Sequence, residues 1–260
     1  MSGDPPDCLR AIRGIVPVRV QPSDDAEMET ELLHGETFQV DRRLGAWLAG
    51  RCGLDGHAGF VRASGLMAMA PPTHRVRALR SFIYPAPDIR RPPIRAISFG
   101  GLVRIVHWAE AEDRPDAPCG GWAKLEDPPG GWLPAPALAP VDSVPSDAVE
   151  AALMFAGAPY LWGGRSSLGI DAPGLVQVAL AAAGITAPRT LAGLAACCAI
   201  PNTRPERGDL AILEYSCGLM VDGGCVVHAS PRHMCVVVEP ADQIVAVLPA
   251  AQLAMLAVPA

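Results

Sequence analysis

Lysine is almost absent from this 260-residue chain, Lys124 being the one example, and charged residues make up only 18% of it. The basic residues are arginines scattered among acids, and the net charge is −6. No basic stripe is formed, which excludes an electrostatic nucleic-acid footprint. Long apolar runs are missing as well. The Ala-rich stretch 175–185 falls well short of the roughly 20 residues a bilayer-spanning helix needs, so no membrane span is expected. The eight cysteines contain no C-x-x-C pair, which argues against structural zinc; no metal and no cofactor is expected. The opening residues Met1 to Asp7 carry no basic stretch ahead of an apolar one, so no secretion signal is read there. A cytoplasmic location is the expectation, with export by another route left open. That compartment predicts reduced, mostly buried thiols rather than a disulfide framework.

Half of the chain is hydrophobic, enough for several cores at this length. The stretch 15–69 is β-rich. Gly35 to Val40 alternates, Ala46 to Ala49 and Gly59 to Val61 read as further strands, and Asp55-Gly56 supplies a turn between them. After Ala70-Pro71-Pro72 a comparable order recurs up to Pro140, with strands expected at Val76 to Leu79, Gly101 to Val106, Gly121 to Leu125 and Gly131 to Leu133. The recurrence suggests an internal duplication. Both units resemble bacterial SH3-like modules, which gives expected domains at 12–70 and 73–141. Trp47, Trp108, Trp122 and Trp132 are either core packing or ligand-facing aromatics of these units.

Beyond the linker 138–145 the texture changes. Ser146-Asp147 offers a helix N-cap with Glu150 in the first turn, Leu175 to Ala183 reads as a second helix, and strands follow at Leu210 to Leu213, Cys225 to Val227 and Met234 to Val238. Helices first and strands afterwards indicate an α+β domain over 146–256.

Within it, Gly157-Ala158-Pro159-Tyr160-Leu161-Trp162-Gly163-Gly164 is followed by Asp171-Ala172-Pro173-Gly174-Leu175-Val176-Gln177. This closely resembles the nucleophile motif of the NlpC/p60 family of cell-wall cysteine peptidases, G-x-P-Y-x-W-G-G, a short loop, then D-C-S-G-L-V-Q. The resemblance implies, overall, two small SH3-like β-barrels followed by a papain-like domain. In active relatives that arrangement hydrolyses γ-D-glutamyl bonds of peptidoglycan stem peptides. A cysteine at a helix N-terminus is stabilised as thiolate by the helix dipole and a neighbouring imidazole. Here Ala172 stands in the cysteine's place and Pro173 in that of the serine. Proline suits a first helical turn, so the helix is expected to survive without its nucleophile.

The second landmark resembles G-D-L-V-F-W-x-G-H, and Gly208-Asp209-Leu210 to Ser216 aligns with it ungapped. Ser216 occupies the position of the catalytic histidine, and a serine is no general base at neutral pH. The third, resembling L-L-H-A, is Val226-Val227-His228-Ala229, so the orienting histidine is kept as His228. Pro188-Arg189 is also kept, whereas the acids and glutamine that follow it in relatives are lost. The resemblance implies that Tyr160 and Asp171, with His228, are the candidate substrate-binding residues, Tyr160 and Trp162 being alternatively core aromatics. No lysine follows Gly163-Gly164, which favours a tight turn over phosphate binding.

The expectation is a catalytically inactive homologue that retains its scaffold as a binder of peptidoglycan stem peptide, muropeptide or a protein partner. Two alternatives stand beside it. One is an active peptidase with a displaced thiol, Cys217 or the Cys197-Cys198 pair. The other is a structural subunit of a larger assembly.

Overall fold

The structure, a computed structural model, describes residues 8–109, 120–143, 146–199, 204–241 and 244–255. Met1 to Asp7, Cys119 and the end of the linker lie outside the described residues. The chain divides into two compact units. The first comprises Met1–Glu27, Glu31–Gly53 and Ala58–Ser143; the second comprises Val144–Ala260 together with Met28–Thr30 and Leu54–His57.

Seven strands open the chain: β1 (Cys8–Ala11), β2 (Ile15–Arg19), β3 (Met28–Leu33), β4 (Thr37–Leu44), β5 (Trp47–Cys52), β6 (Ala58–Arg62) and β7 (Leu66–Met67). They form one sheet in the order β3-β2-β6-β5-β4-β1-β7. The expected alternation is seen in β4, where Phe38 and Val40 point inward between exposed Gln39 and Asp41. Phe38, Leu48, Val18 and Val61 are at the centre of the core. The Asp55-Gly56 turn joins β5 to β6 as expected, with Gly56 at φ 73° and Asp55 Oδ1 accepting from the His57 amide at 3.0 Å.

A second core, around Val76, Ile83, Ile97, Val103 and Leu133, gathers eight shorter strands. These are β8 (His74–Val76), β9 (Arg80–Ile83), β10 (Arg95–Ser98), β11 (Leu102–Val103), β12 (Ile105–Ala109), β13 (Trp122–Leu125), β14 (Gly131–Pro134) and β15 (Leu138–Pro140). They pair as β10-β9, β11-β8-β15 and β12-β13-β14. Neither group closes into a continuous ring among the described residues, in contrast to the expected barrels. Two local causes interrupt the second group. Proline-rich connections cannot donate ladder hydrogen bonds, and the stretch expected as one strand over 101–106 is split at Arg104. The Arg104 amide leaves the ladder to donate to Asp127 Oδ2 at 2.6 Å, and that of Ile105 turns to Thr73 Oγ1. Trp47 and Trp122 are packing residues, while Trp108 is exposed and lies edge-on to His74.

The second unit is α+β. Asp147 caps α1 (Ala148–Leu153), its Oδ1 accepting from the Val149 and Glu150 amides at 2.7 and 3.0 Å. The helix ends at Leu153, ahead of a turn at Gly157, whose φ is 79° and whose amide donates to the Val236 carbonyl. A small hairpin, β16 (Arg165–Ser166) and β17 (Gly169–Ile170), leads into α2 (Ala172–Ala182), and α3 (Leu191–Ala195) follows. The antiparallel sheet β21-β20-β19-β18-β22 completes the unit, with β18 (Leu210–Leu213), β19 (Cys217–Met220), β20 (Cys225–Ser230), β21 (Cys235–Pro240) and β22 (Ile244–Leu248). α2 packs against α1 and against β19 and β20. It is buried on nearly every side, which accounts for its apolar composition. No helix among the described residues is long and apolar enough to cross a membrane.

Candidate functional site

α2 begins at Ala172 because Asp171 caps it. The Asp171 backbone is extended and its Oδ1 accepts from the Gly174 amide at 2.7 Å. Pro173 occupies the first turn, where its missing N–H costs nothing. The side chain at the head of this helix is therefore the Ala172 methyl, which is buried and carries neither a nucleophile nor a titratable group.

Asp171 has little left to offer a ligand. Its Oδ2 accepts from the Gly163 amide at 2.9 Å and from Arg189 Nη2 at 2.8 Å. The ion pair with Arg189 is buried, and Arg189 Nε donates to Thr30 Oγ1 at 2.8 Å. One carboxylate thus ties together the helix start, the Gly163 turn and the loop after α2. Gly163 has φ 76° and the Gly164 amide closes back on the Leu161 carbonyl at 2.9 Å, which is a tight turn. Arg189 is the residue of this cluster whose job the sequence left unread. The retained Pro188-Arg189 pair was the available signal.

Tyr160 sits on the same loop, half-buried, its amide donating to the Met234 carbonyl at 2.9 Å. Burial pushes its phenol above the ordinary value, with the Asp171 charge adding to the effect. Trp162 is 61% exposed and so is not a core aromatic.

Ser216 and His228 are brought together. Ser216 Oγ lies 2.9 Å from His228 Nδ1, and both residues are buried. The other imidazole nitrogen, Nε2, lies 2.7 Å from Glu239 Oε1, and His233 Nε2 reaches Glu239 Oε2 at 3.1 Å. Burial pushes the Glu239 carboxyl upward, but the hydrogen bonds and charges of His228 and then His233 outweigh this and hold it below its ordinary value. Glu239 carries no signal in the sequence, and His233, expected away from the site, joins it through Glu239. Strand alternation puts Glu239 on the same face as Val237, which pairs with His228, but that relation appears only once the β20–β21 register is known.

Cys217 and Cys198 are poorly placed for chemistry. Cys217 is buried, and desolvation drives its thiol far above the ordinary cysteine value, helped by the Asp171 charge. Cys198 is pushed up to about 11, again chiefly by burial. A thiol held protonated is a weak nucleophile. Cys8, Cys197, Cys198, Cys217, Cys225 and Cys235 are free thiols. Burial is less general than expected, because Cys197, Cys198, Cys225 and Cys235 are half-buried and Cys8 is exposed. No group of three or more His, Cys, Asp or Glu among the described residues is arranged to hold a metal ion.

Comparison with known proteins agrees with this architecture. Residues 157–246 match the NlpC/P60 family and residues 18–66 match the bacterial dipeptidyl-peptidase Sh3 domain. The probable endopeptidase Rv2190c of Mycobacterium tuberculosis is 36% identical over 137 residues, which cover 49% of this chain and 34% of that protein. A probable endopeptidase of Mycobacterium bovis, Mb2213c, is similar to the same extent. The chain thus spans about a third of the length of these curated relatives. Among solved structures, an NlpC/P60 family protein from Bacillus cereus has the same fold, with a TM-score of 0.77 over 92% of this chain and 98% of that one at 15% identity. An NlpC/P60 endopeptidase from Photobacterium damselae subsp. piscicida gives a TM-score of 0.60 at 12% identity, over 92% of this chain and 65% of that one. Residues 157–246 therefore constitute an NlpC/P60 family domain, and they follow a bacterial SH3 domain at residues 18–66.

Proposed function

We propose that this chain does not run cysteine-peptidase chemistry and instead uses the NlpC/P60 scaffold to bind peptidoglycan stem peptide or muropeptide. The observation that carries the reading is the methyl group of Ala172 at the capped head of α2, where the family resemblance implies a thiolate. Ser216 in place of the histidine is its companion, since a hydroxyl cannot take a thiol's proton at neutral pH. The displaced-thiol alternative is disfavoured by the protonated, sealed state of Cys217. Wall peptide as ligand rests on the endopeptidase names of the mycobacterial relatives and on the retained loop around Tyr160.

In this reading the chain comprises SH3-like modules at 12–70 and 73–141 and the degenerate domain at 146–256. Two SH3-like modules are favoured by the two separate hydrophobic cores ahead of the linker. Tyr160 contributes the ligand-facing group, while Asp171 acts through the loop it holds in place. A protein partner in place of wall peptide is the reading left standing when neither peptide nor sacculi bind. Calorimetric titration of the full chain with L-Ala-γ-D-Glu-diaminopimelate peptide, with chromatography of the same mixture, reads binding and cleavage together. Binding with intact peptide is expected. Cleavage, or the absence of any binding to peptide and to sacculi, overturns the reading.

A further inference from the structure

Ser216, His228 and Glu239 form an unbroken row of hydroxyl, imidazole and carboxylate. The contacts are 2.9 Å from Ser216 Oγ to His228 Nδ1 and 2.7 Å from His228 Nε2 to Glu239 Oε1. A hydroxyl becomes a nucleophile when a base stands within hydrogen-bond reach and a third group orients that base. Both distances meet the condition. The proton positions follow from the acid. An ionised carboxylate can only accept, so Nε2 carries the hydrogen and Nδ1 presents its lone pair to the Ser216 O–H. The second Glu239 oxygen is held by His233 Nε2 at 3.1 Å, which keeps the carboxylate from turning away.

Packing alone gives no reason for this row. Its neighbours on β19 and β20 include Leu219, Met220, Val226, Val227 and Ala229, all buried and none needing a polar partner, while the buried hydroxyl of Ser230 accepts from the His233 amide. Ser216 and His228 are nearly sealed from bulk water, which strengthens their interaction, yet Tyr215, the preceding residue, is 78% exposed. Ser216 thus follows directly on a solvent-facing residue in the chain.

We propose that Ser216 is an acyl-accepting nucleophile, with His228 as its general base and Glu239 as the positioning residue, and that the row acts on carboxylic esters. Ser216 Oγ bonds to the acyl carbon as its proton passes to His228 Nδ1. The ester C–O bond then breaks, and the departing alkoxide takes that proton to leave as the alcohol. Water completes the cycle: its oxygen bonds to the acyl carbon, its proton goes to Nδ1, and Ser216 Oγ departs and recovers the proton as the acid is released. Esters are the fitting class because an ester carbonyl is more electrophilic than an amide carbonyl and an alkoxide leaves more readily than an amide anion. This activity is independent of wall-peptide binding, and the two are read by separate measurements.

The test uses the full chain and a biotinylated fluorophosphonate, which a serine Oγ attacks at phosphorus with loss of fluoride; the adduct is located by mass spectrometry. An adduct on Ser216 is expected, absent in Ser216→Ala, and formed about a hundredfold more slowly in His228→Ala. Glu239→Gln, at a partly exposed position, slows labelling and removes the low-field imidazole N–H proton resonance without lowering the melting temperature appreciably. p-Nitrophenyl butyrate is hydrolysed by the native chain and not by Ser216→Ala. No adduct on Ser216 in natively folded chain overturns the proposal. So does labelling at the native rate in His228→Ala, or, where that variant fails to fold, in Glu239→Gln.

Discussion

Replacing Asp171 by Asn removes one charge and little else in shape, and the structure predicts a large cost. The Asn Oδ1 still accepts from the Gly174 amide, so the cap of α2, worth about 1 kcal/mol, is kept. What is lost is the partner of Arg189, whose guanidinium stays buried beside a neutral amide. Breaking a buried ion pair from one side costs roughly 3–5 kcal/mol. The new amide N–H also faces the Gly163 amide where a carboxylate oxygen had accepted from it. Asp171→Ala removes the cap as well, giving about 4–6 kcal/mol in total. Against a typical domain stability of roughly 5–15 kcal/mol this approaches unfolding. Removing both charges in Asp171→Asn with Arg189→Met relieves the stranded cation, so the double variant is expected to be more stable than Asp171→Asn alone, with a coupling of about 2–3 kcal/mol. Urea denaturation followed by circular dichroism measures each variant. A loss below about 1 kcal/mol for Asp171→Asn, or strictly additive single effects, would refute the claim that this carboxylate holds the site together.

Cys8, the exposed thiol, is expected to react with iodoacetamide well before Cys198 and Cys217, as read by peptide mapping over time; early modification of Cys217 would show that burial does not protect it. Asp147 titrates below its ordinary value of 3.8, chiefly because the Glu150 amide donates to it. A depressed carboxyl stabilises the fold above its unfolded value and loses that contribution as pH falls through the folded one. Moving from about pH 5 to about pH 3 should therefore cost the native chain more than Asp147→Asn. Because Asp147 is half-exposed the difference in urea stability is small, under about 1 kcal/mol, and equal losses would contradict it. Gly174→Ala places a Cβ 2.3 Å from the Gly164 carbonyl oxygen and 2.8 Å from Asp171 Oδ1, so a loss of about 1–3 kcal/mol is expected in the same assay despite alanine's better helix propensity.

Much of the second unit was legible because its signals are local. Asp147 caps α1 where the Ser146-Asp147 signal put a helix start, and the strand expected over Leu210 to Leu213 has those same bounds as β18, whereas the cap that Asp171 gives α2 was not read. β19 was missed because Cys-Gly-Leu-Met offers neither alternation nor β-branched residues, and it is a strand by virtue of its neighbours on both sides. In the first unit, β9 and β10 were missed between prolines and arginines that read as loop. The site divided in the same way. Ala172, Ser216 and His228 stood in recognisable motifs, whereas Arg189, Glu239 and His233 take their roles from contacts across loop and strand that no short window contains. Asp171, expected as a group for the substrate, accepts three hydrogen bonds from the protein itself.

The central claim, that the NlpC/P60 scaffold is intact and only its cysteine chemistry is missing, is tested most directly by restoring that chemistry. Ala172→Cys with Ser216→His places a thiol at the capped head of α2 and an imidazole beside His228. L-Ala-γ-D-Glu-diaminopimelate peptide is then offered to the native chain and to the double variant, with cleavage followed by chromatography. The account predicts no cleavage by the native chain and measurable cleavage by the double variant. Peptide cleavage by the native chain would contradict it.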